Sequence, residues 1–145
     1  MVFGADVDMT VRLTLLATEP VATEPAQLLA ALRYTPEDPY AVKVVFPAGP
    51  SSTAVTWTFD RELIRSGLIR RAGHGDVRIW PGAESGEHDS TYLELTAPGG
   101  RALLSAPTAT LVAFLDATSA AVPFGAEAEL IDIDAELDAL LGRTG

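Results

Sequence analysis

Apolar and polar residues alternate near the start of the chain. Val7, Met9, Val11, Leu13 and Leu15 occupy every second position, with Asp8, Thr10, Arg12 and Thr14 between them. Successive side chains of a strand point to opposite faces, so this spacing predicts a strand buried on one side. Glu19–Pro25, with two prolines, reads as a connector. Leu28–Tyr34 predicts a second strand, although its leucines and alanines would also allow a helical turn. Thr35–Pro39 breaks it. Tyr40, Val42, Val44 and Phe46 alternate in a third strand, and Pro47–Ser52 makes a Gly/Pro turn. Val55, Trp57 and Phe59 alternate with threonines in a fourth, which places Trp57 in the core on one face with Val55 and Phe59.

The period then changes. Asp60 is placed to cap a short helix from Arg61 to Gly67, because its carboxylate can accept an orphan backbone N–H. Leu63, Ile64 and Leu68 supply the apolar side, and Gly67 suits the position just past the helix. Four more strands are expected at Leu68–Arg71, Asp76–Trp80, Thr91–Thr96 and Arg101–Ser105, the last two joined as a hairpin by Pro98-Gly99-Gly100. Trp80, like Trp57, reads as core by its apolar neighbours. Pro107 opens a helix in its first turn, with Leu111, Val112, Phe114 and Leu115 as its apolar face. Asp134 can cap a last helix with a stripe of Leu137, Leu140 and Leu141. The order is four strands and a helix, then four strands and helices. This is a pseudo-duplicated α+β pattern of antiparallel sheets packed with helices.

The 145 residues make one domain, 1–145, large enough for a core without covalent staples. There is no cysteine, so disulfides and thiolate chemistry are excluded. The first residues lack the basic and apolar regions of a signal peptide, and no apolar run reaches membrane-spanning length. Both features predict a cytoplasmic protein. The net charge of −10 argues against phosphate backbones and anionic lipid heads as partners.

That charge is unevenly placed. Arg61, Arg65, Arg70, Arg71 and Arg78 stand close together with only Glu62 and Asp76 among them. Glu127–Asp138 holds six acids and no base. The arginines either pair with the acid-rich tail, within a chain or between subunits, or read an acidic partner.

Catalytic chemistry finds little purchase. His74 and His88, the two histidines, lie in Gly-rich loops without the spacing of metal ligands. Ser85, His88 and Asp89 form the one local serine–histidine–acid group, but a flexible loop offers no oriented base. Gly73-His74-Gly75 lacks the GK[ST] ending of a phosphate loop. The acidic tail lacks an EF-hand pattern and fits a capped helix start. No enzyme, cofactor or metal is expected.

Several ordered blocks carry a family resemblance: DPYAV at Asp38–Val42, Trp57-Thr58-Phe59 feeding the Arg61–Gly67 helix, and GDVRIWP at Gly75–Pro81. LELTAPGGRALLSAP at Leu93–Pro107 and VPFGAE at Val122–Glu127 follow. Together they resemble the SsgA-like proteins, sporulation-associated cell-division factors of actinobacteria. The resemblance implies a Whirly-like fold and a homotrimer. It also implies a non-enzymatic role in septation through protein contacts, with the division protein FtsZ, another SsgA-like protein, or both as partners. The protein would be recruited to division septa, touching membrane only through those partners. The arginine island, Arg61, Arg65, Arg70, Arg71 and Arg78, is then the candidate partner-binding site. The alternative, by fold analogy, is a single-stranded nucleic-acid-binding module. Two positions depart from the family. Asp116 stands where many relatives have a basic residue, and Phe124 where they tend to have a second proline.

Overall fold

A computed structural model describes residues 4–50, 53–130 and 140. Strand β1 (Val7–Glu19) is followed by β2 (Ala26–Thr35), β3 (Asp38–Phe46), β4 (Val55–Asp60) and helix α1 (Arg61–Gly67). Then come β5 (Val77–Pro81), a short 3-10 turn (Gly82–Ser85), β6 (Ser90–Ala97), β7 (Gly100–Pro107) and helix α2 (Thr108–Ala121). The seven strands form one antiparallel sheet in the order β4-β3-β2-β1-β7-β6-β5.

Alternation sets the inner face. Val11 and Leu13 of β1, Ala30, Leu32 and Tyr34 of β2, and Val42 and Val44 of β3 are all buried. Ala30, Leu32 and Tyr34 alternate with exposed neighbours such as Leu29, which resolves β2 as a strand and not a helical turn. Ile79, Leu93, Leu95, Leu104 and Ala106 continue the same core from the other half of the sheet. Helix α1 packs against β3 and β4 at one end of the sheet and against β5 at the other. The sheet therefore curls, and α1 bridges its two ends. Helix α2 lies on β1 and β7 and buries Leu111, Phe114, Leu115, Thr118 and Ala121. Val112, expected on that face, is exposed, because the buried stripe follows the 3.6-residue period through 111, 114, 115 and 118.

The expected strand at Leu68–Arg71 is absent. The N–H of Leu68 bonds the Ile64 carbonyl, and those of Ile69 and Arg70 both reach Ser66, so the chain stays in a turn. A single bridge, Ala72 to Ile79, is all that pairs with the outer side of β5 among the described residues. The antiparallel architecture is thus one sheet of seven strands. Gly67 is the last residue of α1 and not the residue beyond it. Its role is close approach, since a Cβ there would stand 2.3 Å from Ile79 Cγ2. Gly73 turns with φ +100°. Pro107 caps α2 from outside its first turn. The helix expected after Asp134 lies outside the described residues.

Candidate functional site

Asp60 caps α1 as its sequence position requires, accepting the Glu62 N–H at 2.8 Å. The next residue, Arg61, shares the inward face with Ile64 and Gly67. Its side chain is fully buried. Nη1 donates to the Thr118 carbonyl at 3.1 Å and Nη2 to the Pro123 carbonyl at 3.3 Å. Nη2 also lies 3.1 Å from Glu127 Oε2. The guanidinium rests 5.0 Å from the Tyr34 ring centroid and 4.1 Å from that of Phe124. Thr118 belongs to the last turn of α2, which has no basic residue of its own. Arg61 supplies the cation that a helix C-terminus favours.

Glu127 completes the arrangement. Burial alone would raise its carboxyl pKa. Its own backbone N–H, the Arg61 side chain and the Gly125 N–H outweigh that and hold it below the ordinary value of 4.5. The Gly125 N–H donates to Glu127 Oε1 at 2.7 Å. Burial pushes the Tyr34 hydroxyl up to about 12, against the pull of Arg61. That hydroxyl donates to the Pro39 carbonyl at 2.8 Å. Arg61 Nε is the one buried side-chain polar atom without a hydrogen-bond partner among the described residues.

Arg65 stands on the same helix but half exposed. It pairs with Glu62 at 3.2 Å and covers the other side of Phe124, 4.5 Å from the ring centroid. Phe124 thus meets two guanidinium groups, which relieves the like-charge pair at i,i+4. A surface concavity of about 430 Å³ opens beside it, lined by Tyr40, Asp60, Glu62, Arg65, Phe124 and Glu127 among others.

Arg70, Arg71 and Arg78 are exposed on another part of the surface. In β5, Val77 and Ile79 point into the core, so Arg78 and Trp80 face outward. Trp80 is therefore half-buried on the outer face and not a core residue. Its ring meets Tyr92 edge-on, with centroids 5.9 Å apart at 83°. The Arg71 guanidinium lies 4.8 Å over it. The five arginines do not make one surface: Arg61 is inside, Arg65 flanks Phe124, Arg71 and Arg78 lie at the outer face of β5, and Arg70 is exposed in the turn after α1.

Among the described residues the concave face also has an open end, which the sequence did not single out. Helices α1 and α2 cover one end of that face. At the other, Leu15, Leu28, Phe46, Trp57, Leu95 and Leu104 line an apolar groove of about 700 Å³. Trp57 shares a face with Val55 and Phe59, as its alternation predicts, but it lies in this groove only half-buried. Val55 is 49% exposed at the edge strand. Few polar atoms interrupt the groove, and its charged residues, Glu19 and Arg101, pair with each other. Among the described residues no cluster of three or more His, Asp or Glu could hold a metal. His74, Ser85, His88 and Asp89 are all exposed. No described helix is long and apolar enough to cross a membrane.

Known proteins share this architecture. The chain is 44% identical over 117 residues to the sporulation-specific cell division protein SsgB of Frankia casuarinae, covering 81% of this chain and 80% of that one. It is 47% identical over 113 residues to SsgB of Salinispora tropica, covering 77% and 78%. The crystal structure of an SsgA-like sporulation-specific cell division protein from Thermobifida fusca superposes with a TM-score of 0.81 at 38% identity, covering 96% of this chain and 98% of that one. Residues 28–127 match the model of the Streptomyces sporulation and cell division protein family SsgA, a stretch that runs from β2 to the carboxylate holding Arg61. The chain belongs to the SsgA family.

Proposed function

We propose that the protein is a non-enzymatic factor of sporulation-linked cell division that works through protein contacts. In this reading it assembles as a homotrimer in the cytoplasm and is recruited to division septa. There it helps to position the division machinery by binding FtsZ or another SsgA-like protein, or it acts on septal wall remodelling.

The open apolar groove on the concave face carries the reading. An exposed apolar groove on an acidic surface supports a contact between proteins. It lies beside β4, the edge strand, whose outer backbone groups are available for pairing. A second subunit at this seam would cover both. The net charge of −10 opposes the nucleic-acid alternative.

The test uses purified protein. Sedimentation equilibrium should show about three chains per particle, as closed symmetry requires. Immobilised protein should retain purified FtsZ or a second family member, and should not retain single-stranded DNA at low salt. A stable monomer would remove the trimer. Failure to retain either protein would remove the recruitment role. Retention of DNA that rises steeply as salt falls would favour the nucleic-acid reading instead.

A further inference from the structure

We propose that residues 131–137 fold back along β4 of their own chain, add to that edge as an eighth strand and fill the open apolar groove. This rests on the reading of the groove as a contact surface and adds the segment that occupies it until a partner displaces it.

The two edges of the sheet differ. At β5 the bridge from Ala72 to Ile79 and the ring of Pro81 leave little to pair with. β4 is the other edge. Between Val55 and Phe59 it has no proline and no charged residue. Its outward backbone groups have no hydrogen-bond partner among the described residues. Val55 and Trp57 of the same strand line the groove. One arriving strand would therefore satisfy the edge and cover the groove together.

The chain leads its own tail to this place. Arg61 is the first residue after β4, and Glu127 holds its guanidinium at 3.1 Å. Asp60 and Glu127 line the same surface hollow. Leu130 follows shortly and packs against the core. From there the sequence continues to Gly145. Passing from Phe59 to Val55 takes about 13 Å, at roughly 3.3 Å per residue, so residues 131–137 are long enough.

The chemistry of the tail fits the place. Ile131, Ile133, Ala135 and Leu137 alternate with Asp132, Asp134, Glu136 and Asp138. This is the period of a strand with one dry and one wet face. Run antiparallel to β4, it turns its isoleucines and leucine toward Trp57 and Val55. Its acids turn to the side of Thr56, Thr58 and Lys43, which are all exposed. Leu140, the one described residue beyond Leu130, is helical and 81% exposed. The strand therefore ends before it, and the tail has found no other cover there.

The experiment compares the full chain with a variant that ends at Leu130, which keeps the pair of Arg61 and Glu127. The two indole N–H resonances are followed by NMR. Removing the tail should shift the Trp57 resonance and leave that of Trp80, on the outer face of β5, in place. Amide exchange over residues 55–59 should quicken about tenfold, the scale of one or two lost edge hydrogen bonds. Ile133→Asp in the full chain should reproduce both changes, because it sets a charge against the groove. A nitroxide attached through Glu136→Cys, in a chain with no other cysteine, should broaden the Trp57 resonance. When isotope-enriched chains without nitroxide are mixed with isotope-free chains that carry it, the Trp57 resonance should stay sharp. The proposal is overturned if truncation or Ile133→Asp leaves Trp57 and the β4 amides unchanged, or if Trp80 responds equally. Broadening in the mixture would also overturn it, by placing the tail of a second copy in the groove. Every readout uses the protein alone. Failure to retain FtsZ or a second family member would leave this proposal standing, and its own failure would leave the contact reading standing.

Discussion

Arg61 and Arg71 come from one short stretch of chain, and each lays its guanidinium on aromatic rings. Their surroundings make them different objects. Arg61 is fully buried, and the carbonyls of Thr118 and Pro123, the Glu127 carboxylate and two rings surround it. Each partner there is obligatory, because a buried charge that loses one leaves a large desolvation cost uncompensated. Arg71 makes a similar ring contact on the surface, where water can replace any partner it loses. The same contact is sealed inside the fold in one place and exposed to water in the other. Burial decides between the two, and residue type does not.

The strongest way to break this comparison is at Arg61. Arg61→Ala should cost about 3–5 kcal/mol in urea denaturation, the range for stranding one member of a buried ion pair. Arg61→Lys should recover only part of that, since an ammonium cannot reach both carbonyls and the carboxylate in one plane. If Arg61→Ala costs no more than Arg71→Ala, the distinction drawn from burial fails.

Acid titrates the same buried pair from its other side. The folded-state pKa of Glu127 is depressed, so the unfolded chain binds the proton more readily. The stability it contributes is complete above the ordinary value of 4.5 and is lost as pH falls from there through the folded value. Thermal melts across that window should show a decline that is shallower in Glu127→Gln. An unchanged slope in that variant would mean that other carboxylates dominate acid unfolding.

The two tryptophans repeat the comparison in neutral form. Trp57→Ala should cost about 2 kcal/mol in the monomer, less than a fully buried tryptophan because the groove leaves part of the ring exposed. The loss should grow if a second subunit covers the groove, and concentration-dependent melting would show it. Trp80→Ala should cost about 1 kcal/mol, mostly its contact with Tyr92.

The smallest effects belong to the surface arginines. Arg71→Ala and Arg65→Ala should each change stability by roughly 0.5 kcal/mol, the range of exposed pairs and ring contacts. A loss of several kcal/mol at Arg71 would move it into the class of Arg61.

Much of the local structure was legible in the chain. Alternation located β1, β3 and β4, because a half-buried strand imposes its period on its own residues, and the strands β5, β6 and β7 were also expected close to where they lie. Asp60 marked the start of α1 through a contact that spans two residues. The outward turn of Trp80, which reads as core by its apolar neighbours, had its signal in the order Val77-Arg78-Ile79-Trp80, where the arginine shows which face is wet. The fate of Arg61 had a fainter signal. It shares helical spacing with Ile64 and Gly67, and a cation in the first turn of a helix is disfavoured by the dipole unless something else holds it.

What only the tertiary structure decided were the meetings of residues far apart in sequence. Glu127 and Thr118 reach Arg61 because α2 crosses the inner face next to α1. The run at Leu68–Arg71 remains a turn because the end of α1 captures its N–H groups before a neighbouring strand can. Among the described residues the open groove exists because two helices cover one end of a curled sheet and not the other. Periodicity reports which side of an element avoids water. It carries no information about which distant element arrives to exclude that water, and the arriving element determines whether an arginine becomes part of the core or part of the surface.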